Sequence, residues 1–249
     1  MRQLIKIYSS LFFLLGCSLI TAAQNSNKDS LFLKTAIHNI QQVYYENIGE
    51  QAAKYNGSQY PGYTVSFADG HPYFKVNALS KGSILYDGVK FEEVALLYDE
   101  VADCVVLQDS THRIQLVNEK LKQFSILDDH FERIEIPEKL HNNKVNIATG
   151  FYQILVAGKV NLYKKEVKHI IEKYSNNNEL SILFEVSTFY YIKKDGLFFE
   201  VPNKKSIYSI LGENAKELIQ FAKKEHLNFS NEKDMMLTSL VNHYNKIAQ

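Results

Sequence analysis

Several features that would mark particular classes of protein are scarce or missing in this sequence of 249 residues. It contains no tryptophan, two cysteines and four prolines. Two cysteines cannot form a dense disulfide framework, so the packing of apolar side chains has to stabilise the fold. Basic and acidic residues both number 28, and this zero net charge offers no electrostatic reason to bind nucleic acid.

The local motifs of well-marked enzyme classes are also missing. There is no His-Glu-x-x-His zinc helix, glycine-rich phosphate loop, Gly-x-Ser-x-Gly elbow or EF-hand loop. These absences do not exclude enzyme classes that have no local motif. No local motif therefore identifies a catalytic, cofactor-binding or metal-ligating residue, and we assign none.

No long apolar run occurs after residue 23, but residues 7–23 form such a run. Arg2 and Lys6 precede an uncharged segment, residues 7–23, and the chain turns polar at Gln24. This order predicts a secretory signal peptide in residues 1–23 and an exported protein that is periplasmic, associated with the outer membrane or secreted. The uncharged run of about 17 residues is at the lower limit for a transmembrane helix.

The two cysteines have different expected roles. Leu14-Leu15-Gly16-Cys17 resembles a lipobox, whose cysteine would carry a lipid anchor. The apolar residues that follow Cys17 favour cleavage after Ala23 instead. Cys104 would then be the only thiol, and its apolar strand pattern predicts a buried side chain.

Two Asp-Gly pairs predict β-hairpins, because this dipeptide suits the two-residue type I′ turn. Apolar residues alternate on both sides of each pair and set the register. The predicted cross-strand pairs are Tyr86–Val89 and Ile84–Phe91 around Asp87-Gly88, and Ile192–Phe199 and Tyr190–Val201 around Asp195-Gly196.

Alternation and turn signals predict further strands along the chain. These cover residues 63–67, 73–76, 95–98, 104–108, 113–117, 124–127, 131–136, 151–156 and 160–164. Residues 167–174 fit a strand or a helix, and the polar residues 137–149 are a candidate joint.

Helical spacing predicts a helix from Asp29 or Ser30 to about Gly49, and three helices at the C-terminal end. The latter cover residues 204–211 and 214–227 and a segment capped by Asn231 with a buried apolar side. The expected class is α+β, mostly antiparallel β-hairpins or a meander, with an N-terminal helix and a C-terminal helical segment. After the signal peptide, residues 24–140 and 141–249 form either two domains or one continuous domain.

Three groups of side chains are candidates for function. Asp128, His130 and Glu132 would share one face of a strand and could hold a metal, although a solvated turn is the favoured interpretation. Asp99, Asp103 and Asp128 are the carboxylates that a hydrolase could use. Several tyrosines could form an exposed platform, but the favoured interpretation places most of them in the core: Tyr60, Tyr63, Tyr73, Tyr86, Tyr98, Tyr190 and Tyr191.

Several segments resemble a group of exported, β-rich proteins of Bacteroidota that have no assigned activity. They are Gly82-Ser-Ile-Leu-Tyr-Asp-Gly88, Val94-Ala-Leu-Leu-Tyr-Asp99, Gly150-Phe-Tyr-Gln-Ile-Leu155, Val160-Asn-Leu-Tyr-Lys164, Tyr191-Ile-Lys-Lys-Asp-Gly196, Leu218-Ile-Gln-Phe-Ala-Lys223 and Leu240-Val-Asn-His-Tyr-Asn245. These are turns and apolar faces, so the resemblance implies no catalytic residue.

The expected function is a non-enzymatic binding or accessory module of the cell envelope, whose partner is an envelope protein or a glycan. One alternative is a hydrolase that acts on envelope or glycan substrates. Another is a structural partner of an outer-membrane complex.

Overall fold

The structure is a computed structural model. It describes residues 56–109, 111–137, 147–174, 180–229 and 232–248, together with some positions between 32 and 43. The predicted signal peptide in residues 1–23, including Cys17, and the predicted cap Asn231 lie outside the described residues. The contacts divide the chain into two compact units, Met1–Asn47 and Ile48–Gln249.

In the first unit, the described positions between Phe32 and Val43 are helical, as the spacing predicts. Ile37 and Ile40, two of the apolar residues whose spacing predicts this helix, are exposed. Three others, Leu33, Tyr44 and Ile48, lie outside the described residues.

An antiparallel sheet of eleven strands forms the second unit, so the fold is mostly β with a minority of helix. The strands are β1 (Ser58–Gln59), β2 (Ser80–Tyr86), β3 (Val89–Asp99), β4 (Cys104–Gln108), β5 (Arg113–Gln115), β6 (Leu121–Ile126), β7 (Asp129–Ile134), β8 (Gly150–Val156), β9 (Asn161–Tyr174), β10 (Leu180–Lys194) and β11 (Leu197–Glu200). Their spatial order is β1-β5-β4-β3-β2-β6-β7-β8-β9-β10-β11. Because β7 pairs with β8, the sheet continues across the candidate joint, whose residues 138–146 lie outside the described part.

Both predicted hairpins are confirmed in their register. Tyr86 pairs with Val89 and Ile84 with Phe91. Asp87 and Gly88 have φ values of 51° and 79°, as a type I′ turn requires. In the second hairpin, the paired residues are Ile192–Phe199, with a hydrogen bond from the Val201 amide to the Tyr190 carbonyl, and φ is 51° at Asp195 and 77° at Gly196.

The strands predicted at residues 63–67 and 73–76 are wrong. This segment has no ladder, and its one bridge joins Tyr73 to Asp99. Its backbone instead makes single hydrogen bonds to distant strands, from Phe74 to Tyr98 and from Ala68 to Ile182. Its alternating aromatic residues serve side-chain contacts with the sheet, and alternation alone does not distinguish that use from a strand.

Three strands are longer than predicted. β3 joins the predicted segments 89–91 and 95–98 through a bulge, where the register shifts opposite Gly82 and Ile84. β9 includes the ambiguous residues 167–174, and β10 begins at Leu180 rather than at residue 190. Charged residues inside these strands interrupt the alternation of apolar residues. The apolar pattern therefore ends earlier than the backbone pairing does.

The C-terminal helices are α1 (Lys204–Leu211), α2 (Ala215–Lys224) and α3 (Lys233–Ile247). α1 has the predicted bounds. Its capping box at Asn203 satisfies the first amides, and Gly212 ends it with a φ of 50°. The helices pack on the last strands of the sheet through a core formed by Val156, Val160, Leu162, Tyr190, Ile192, Val201, Ile207, Leu211, Leu218, Ala222, Met236, Leu237, Leu240, Val241 and Tyr244.

A cluster of aromatic rings fills the middle of the sheet. Phe124 stacks on Phe131 with ring centroids 4.6 Å apart, and Tyr98 lies 5.1 Å from Phe124. Phe74, from the irregular segment, meets Phe131 edge-on at 5.1 Å. Ring pairs in these geometries contribute about 0.5–1.5 kcal/mol beyond their buried area, so this cluster joins the irregular segment to the sheet.

Candidate functional site

The last residue of β3, where the turn to β4 begins, has a carboxylate that is completely buried. Asp99 is 0% exposed, and its Oδ1 accepts hydrogen bonds from the amides of Val101 (2.8 Å) and Ala102 (2.9 Å). Its Oδ2 accepts from the hydroxyls of Tyr60 (2.6 Å) and Tyr63 (2.8 Å). These four donors satisfy the charge, so Asp99 closes the turn and holds the irregular segment against it.

The two tyrosines act as donors at every physiological pH. Burial, followed by the hydrogen bond to Asp99, raises the pKa of both Tyr60 and Tyr63 well above the ordinary value. A phenolate beside a carboxylate would place two like charges in a desolvated site. The protonated hydroxyls therefore remain bonded to Asp99.

Two lysines of β9 contact acidic residues of the same turn. Lys168 Nζ lies 3.1 Å from a carboxylate oxygen of Glu100, which is 3% exposed, and donates to the Tyr73 carbonyl. Lys165 Nζ lies 2.5 Å from Asp103 and 2.9 Å from the Phe151 carbonyl. These contacts form what we call the brace, which fastens the β3–β4 turn to the middle of β9.

The brace contains charges whose ionisation is opposed by burial. Desolvation raises the pKa of Glu100, and the nearby Lys168 offsets only part of this effect. Desolvation likewise lowers the pKa of Lys165, against the opposing influence of Asp103. Such shifts also occur in structural ion pairs, so they do not by themselves indicate catalysis.

Of the three candidate hydrolase carboxylates, the structure brings two to the same turn. Asp103 accepts a 2.6 Å hydrogen bond from the Tyr98 hydroxyl in addition to its contact with Lys165. Asp128 lies elsewhere, exposed in the turn between β6 and β7. The contacts of Asp99 and Asp103 are all to protein groups that hold the turn in place.

The three candidate metal residues have different surroundings. Glu132 accepts a 2.6 Å hydrogen bond from the Tyr163 hydroxyl, whereas Asp128 and His130 are exposed. Within the described ranges there is no group of three histidine, cysteine or acidic side chains placed to hold a metal ion.

The interpretation of the tyrosines as core residues is confirmed for six of the seven. Tyr63 is half-buried, and the buried ones are Tyr60, Tyr73, Tyr86, Tyr98, Tyr190 and Tyr191. Cys104 is buried as well, also as predicted. Burial raises the pKa of its thiol to about 12, so it is not an activated nucleophile.

A shallow groove of about 340 Å³ crosses one face of β2, β6 and β7. Ser83 and Ser125 line it, with their hydroxyl oxygens 2.8 Å apart. Longer polar side chains, Gln123 and His130, also line it. This groove presents hydroxyl, amide and imidazole groups to solvent.

The outer part of the β9–β10 hairpin, residues 165–174 and 180–189, extends beyond the strands that flank its inner part, and we call it the arm. The two strands pair with each other along the whole arm. β8 pairs with β9 only up to Lys164, and β11 pairs with β10 only from Tyr191. Several of its apolar side chains are exposed: Ile170, Ile171, Tyr174, Leu180 and Val186.

One feature of the sequence indicates the strand of the arm even though its apolar residues do not alternate strictly. Residues 180–190 include a single charged residue, Glu185, and are rich in β-branched and aromatic residues. Such a composition favours a strand even without strict alternation.

None of the helices in the described parts of the chain has the length and apolar character needed to cross a bilayer. No family model matches the sequence, and no curated protein or solved structure matches it. The roles of its residues therefore rest on their contacts in this structure.

Proposed function

We propose that this chain is an exported protein of the cell envelope, a non-enzymatic module that binds another protein through the arm. Export is supported by residues 1–24, in which a basic start is followed by an apolar run and then by a polar residue. This order is that of a cleaved signal peptide. The resemblance to exported proteins of Bacteroidota agrees with this location.

The observation that carries the proposal is the exposure of apolar side chains along a paired and braced hairpin. Val186 is 50% exposed and Ile170 is 38% exposed, although both belong to regular strands. The brace holds the base of the arm to the β3–β4 turn through Lys165 and Lys168. A rigid base and an exposed apolar surface suit recognition of a protein surface.

A protein partner is favoured over a glycan by the position of the aromatic rings. Most of the candidate tyrosines are buried, so they cannot stack on sugar rings. The groove around Ser83 and Ser125 is the surface whose polar groups would suit a glycan, and it serves as the comparison in the test.

The test is a pull-down from envelope extracts of the producing organism with three forms of the mature chain. One is the natural sequence, one carries Ile170→Ser with Ile171→Ser, and one carries Gln123→Ala with His130→Ala in the groove. We expect the arm variant to recover at least about tenfold less of a specific protein partner, because its apolar contact area is lost. The groove variant should recover the same amount as the natural sequence.

Equal recovery by all three forms, or no specific partner at all, would contradict binding through the arm. Loss of recovery by the groove variant alone would favour the groove as the binding surface. Circular dichroism of both variants provides the folding control.

Intact-mass measurement of the exported protein tests the location separately. We expect a mature chain that begins at Gln24. A mass that corresponds to an acylated Cys17 at the N-terminus would instead indicate a lipid-anchored form. The full unprocessed mass would argue against a cleaved signal.

A further inference from the structure

The outer edge of β10 has backbone groups that point away from β9. The carbonyl of Ile182 accepts a 2.9 Å hydrogen bond from the Ala68 amide, and the carbonyl of Tyr190 accepts one of 2.8 Å from the Val201 amide. The register with β9 is regular between these two residues. Since the direction of the backbone groups alternates along a strand, every second residue between them faces the same edge.

The residues at that edge are Phe184, Val186 and Thr188. Among the residues that the structure describes, no backbone group bonds to their outward amides and carbonyls. An exposed row of this kind is a template for an added strand.

This open edge is bounded at both ends. The Ala68 segment occupies the position beside Ile182, and Val201 occupies the position beside Tyr190. Tyr190 is eight positions after Ile182, which corresponds to about 26 Å at roughly 3.3 Å per residue, and seven residues lie between them. The space accommodates an added strand of about five to seven residues.

A second copy of this chain does not fit that space through its own β10. An antiparallel pair centred on Val186 would place residue 190 of one copy beside Ile182 of the other, where the Ala68 segment lies. A parallel pair in the same register would bring the two Ala68 segments together. These boundaries therefore favour a short segment over a long strand as the occupant.

The edge also lacks the devices that usually prevent strand addition. Protected edges carry lysine, proline or bulges, or they are very short. β1 and β11, the strands at the ends of the sheet, have two and four residues. Residues 181–189 contain no lysine and no proline, and the pairing of this segment with β9 has no register shift.

The side chains around the edge indicate what the segment would present. Phe184 and Val186 line a groove of about 380 Å³ together with Gly70 and His71, and the charged residues Asp69, Lys75 and Lys168 also line it. The part of the groove beside Phe184 and Val186 would receive apolar side chains at alternate positions of the segment. Glu185, on the opposite face, is exposed and has no ion pair within the described ranges. A basic side chain on that face of the segment would complement its charge.

We propose that the β10 edge binds a short extended segment of the protein partner as an added strand, with alternating apolar residues and a basic residue placed beside Glu185. This inference rests on the proposed function, because it specifies how the arm would recognise its partner.

The test uses a displayed library of random seven-residue peptides, selected on the mature chain. We expect enrichment of peptides that alternate apolar residues and carry one lysine or arginine. Val186→Pro removes an outward amide, and edge positions tolerate proline. The enriched peptides should bind this variant at least about tenfold more weakly, whereas Val186→Thr, which keeps the amide, should retain binding.

Residue-resolved amide exchange on the unaltered chain makes the result independent of the proline variant. In the free protein, the amides of Phe184, Val186 and Thr188 should exchange much faster than those of Leu183 and Glu185, which point towards β9. A saturating enriched peptide should slow the first three at least about tenfold.

Four results would overturn the inference. They are no enriched peptide, equal binding to the proline and threonine variants, binding without protection of the three edge amides, and protection that rises with protein concentration when no peptide is present. The last result would identify a second copy as the occupant.

The same variants separate this inference from the proposed function. If Val186→Pro recovers the envelope partner as well as the natural sequence does, and Ile170→Ser with Ile171→Ser does not, then the edge inference fails and binding through the arm stands. If neither variant changes recovery, the proposed function itself fails.

Discussion

The inner and outer halves of the β9–β10 hairpin differ in what surrounds them, although one continuous ladder joins them. Ile192 and Leu162, in the inner half, are completely buried beneath the C-terminal helices. Ile170 and Val186, in the outer half, have much of their surface exposed. Strand formation therefore depends on the ladder, whereas burial depends on where β8, β11 and the helices end.

The brace lies at the boundary between these halves. Lys165 and Lys168 extend from β9 to Asp103 and Glu100 on the β3–β4 turn. Because Asp99 on the same turn also holds Tyr60, the turn connects the arm to the irregular segment. We interpret the inner half as the main source of stability, and the outer half is the surface through which we propose that the protein binds its partner.

The largest effect on stability is expected from a comparison of two isoleucines of the same hairpin. Ile192→Ala should lower the free energy of unfolding by about 2–5 kcal/mol, because it leaves a cavity beneath the helices. Ile170→Ala should lower it by less than about 1 kcal/mol, because its side chain already meets solvent. Urea denaturation measures both, and equal losses would show that the two halves contribute alike.

An intermediate effect is expected from two tyrosines that lose only a hydroxyl. Tyr60→Phe removes a buried donor from Asp99 and should lower the free energy of unfolding by about 1–3 kcal/mol. The matched control is Tyr208→Phe, since the Tyr208 hydroxyl is buried without a hydrogen-bond partner in the described part of the chain. Its removal should be neutral or slightly stabilising in the same denaturation experiment. A loss for Tyr208→Phe as large as that for Tyr60→Phe would contradict a specific role for Asp99.

The smallest expected effect is a pH dependence from the brace. Burial raises the pKa of Glu100 above its ordinary value of 4.5, so the folded state binds its proton more tightly than the unfolded state does. Its contribution to stability is therefore complete below pH 4.5 and is lost as the pH rises through the raised pKa. The free energy of unfolding of the natural sequence, minus that of Glu100→Gln, should fall as the pH rises above about 4.5.

The control for this pH dependence is Glu93→Gln, because Glu93 is an exposed partner of Lys81. Its difference from the natural sequence should change little with pH. A rising difference for Glu100→Gln would show that the contact with Lys168 outweighs the burial of the carboxylate.

Features encoded within a few residues were the ones that could be predicted. The Asp-Gly turns set both hairpin registers because the required positive φ values favour these residues locally. Asn203 and Gly212 likewise define α1 because capping is a local interaction. Cys104 was predicted to be buried because it stands in a short apolar run, which suits a central strand.

Features that depend on distant partners could not be predicted. Residues 63–67 alternate like a strand, yet the hydroxyl of Tyr63 bonds to Asp99, 36 residues away. β10 was assigned too short because Glu185 and Ser187 interrupt its apolar pattern, whereas its pairing with β9 continues past them. The candidate carboxylates were chosen by residue type, and nothing local indicated that Asp99 would be satisfied by two tyrosines.

The sequence by itself determined the turns, the helix ends and the apolar character of the strands, because these follow from the conformational preferences of neighbouring residues. Only the tertiary structure decided that Asp99 would be buried, that the β9–β10 hairpin would extend beyond its neighbours and that one edge of β10 would remain open among the residues that the structure describes. Each of these depends on where other strands end and on which distant donors reach a charge. The arm and its open edge are therefore properties of the assembled sheet.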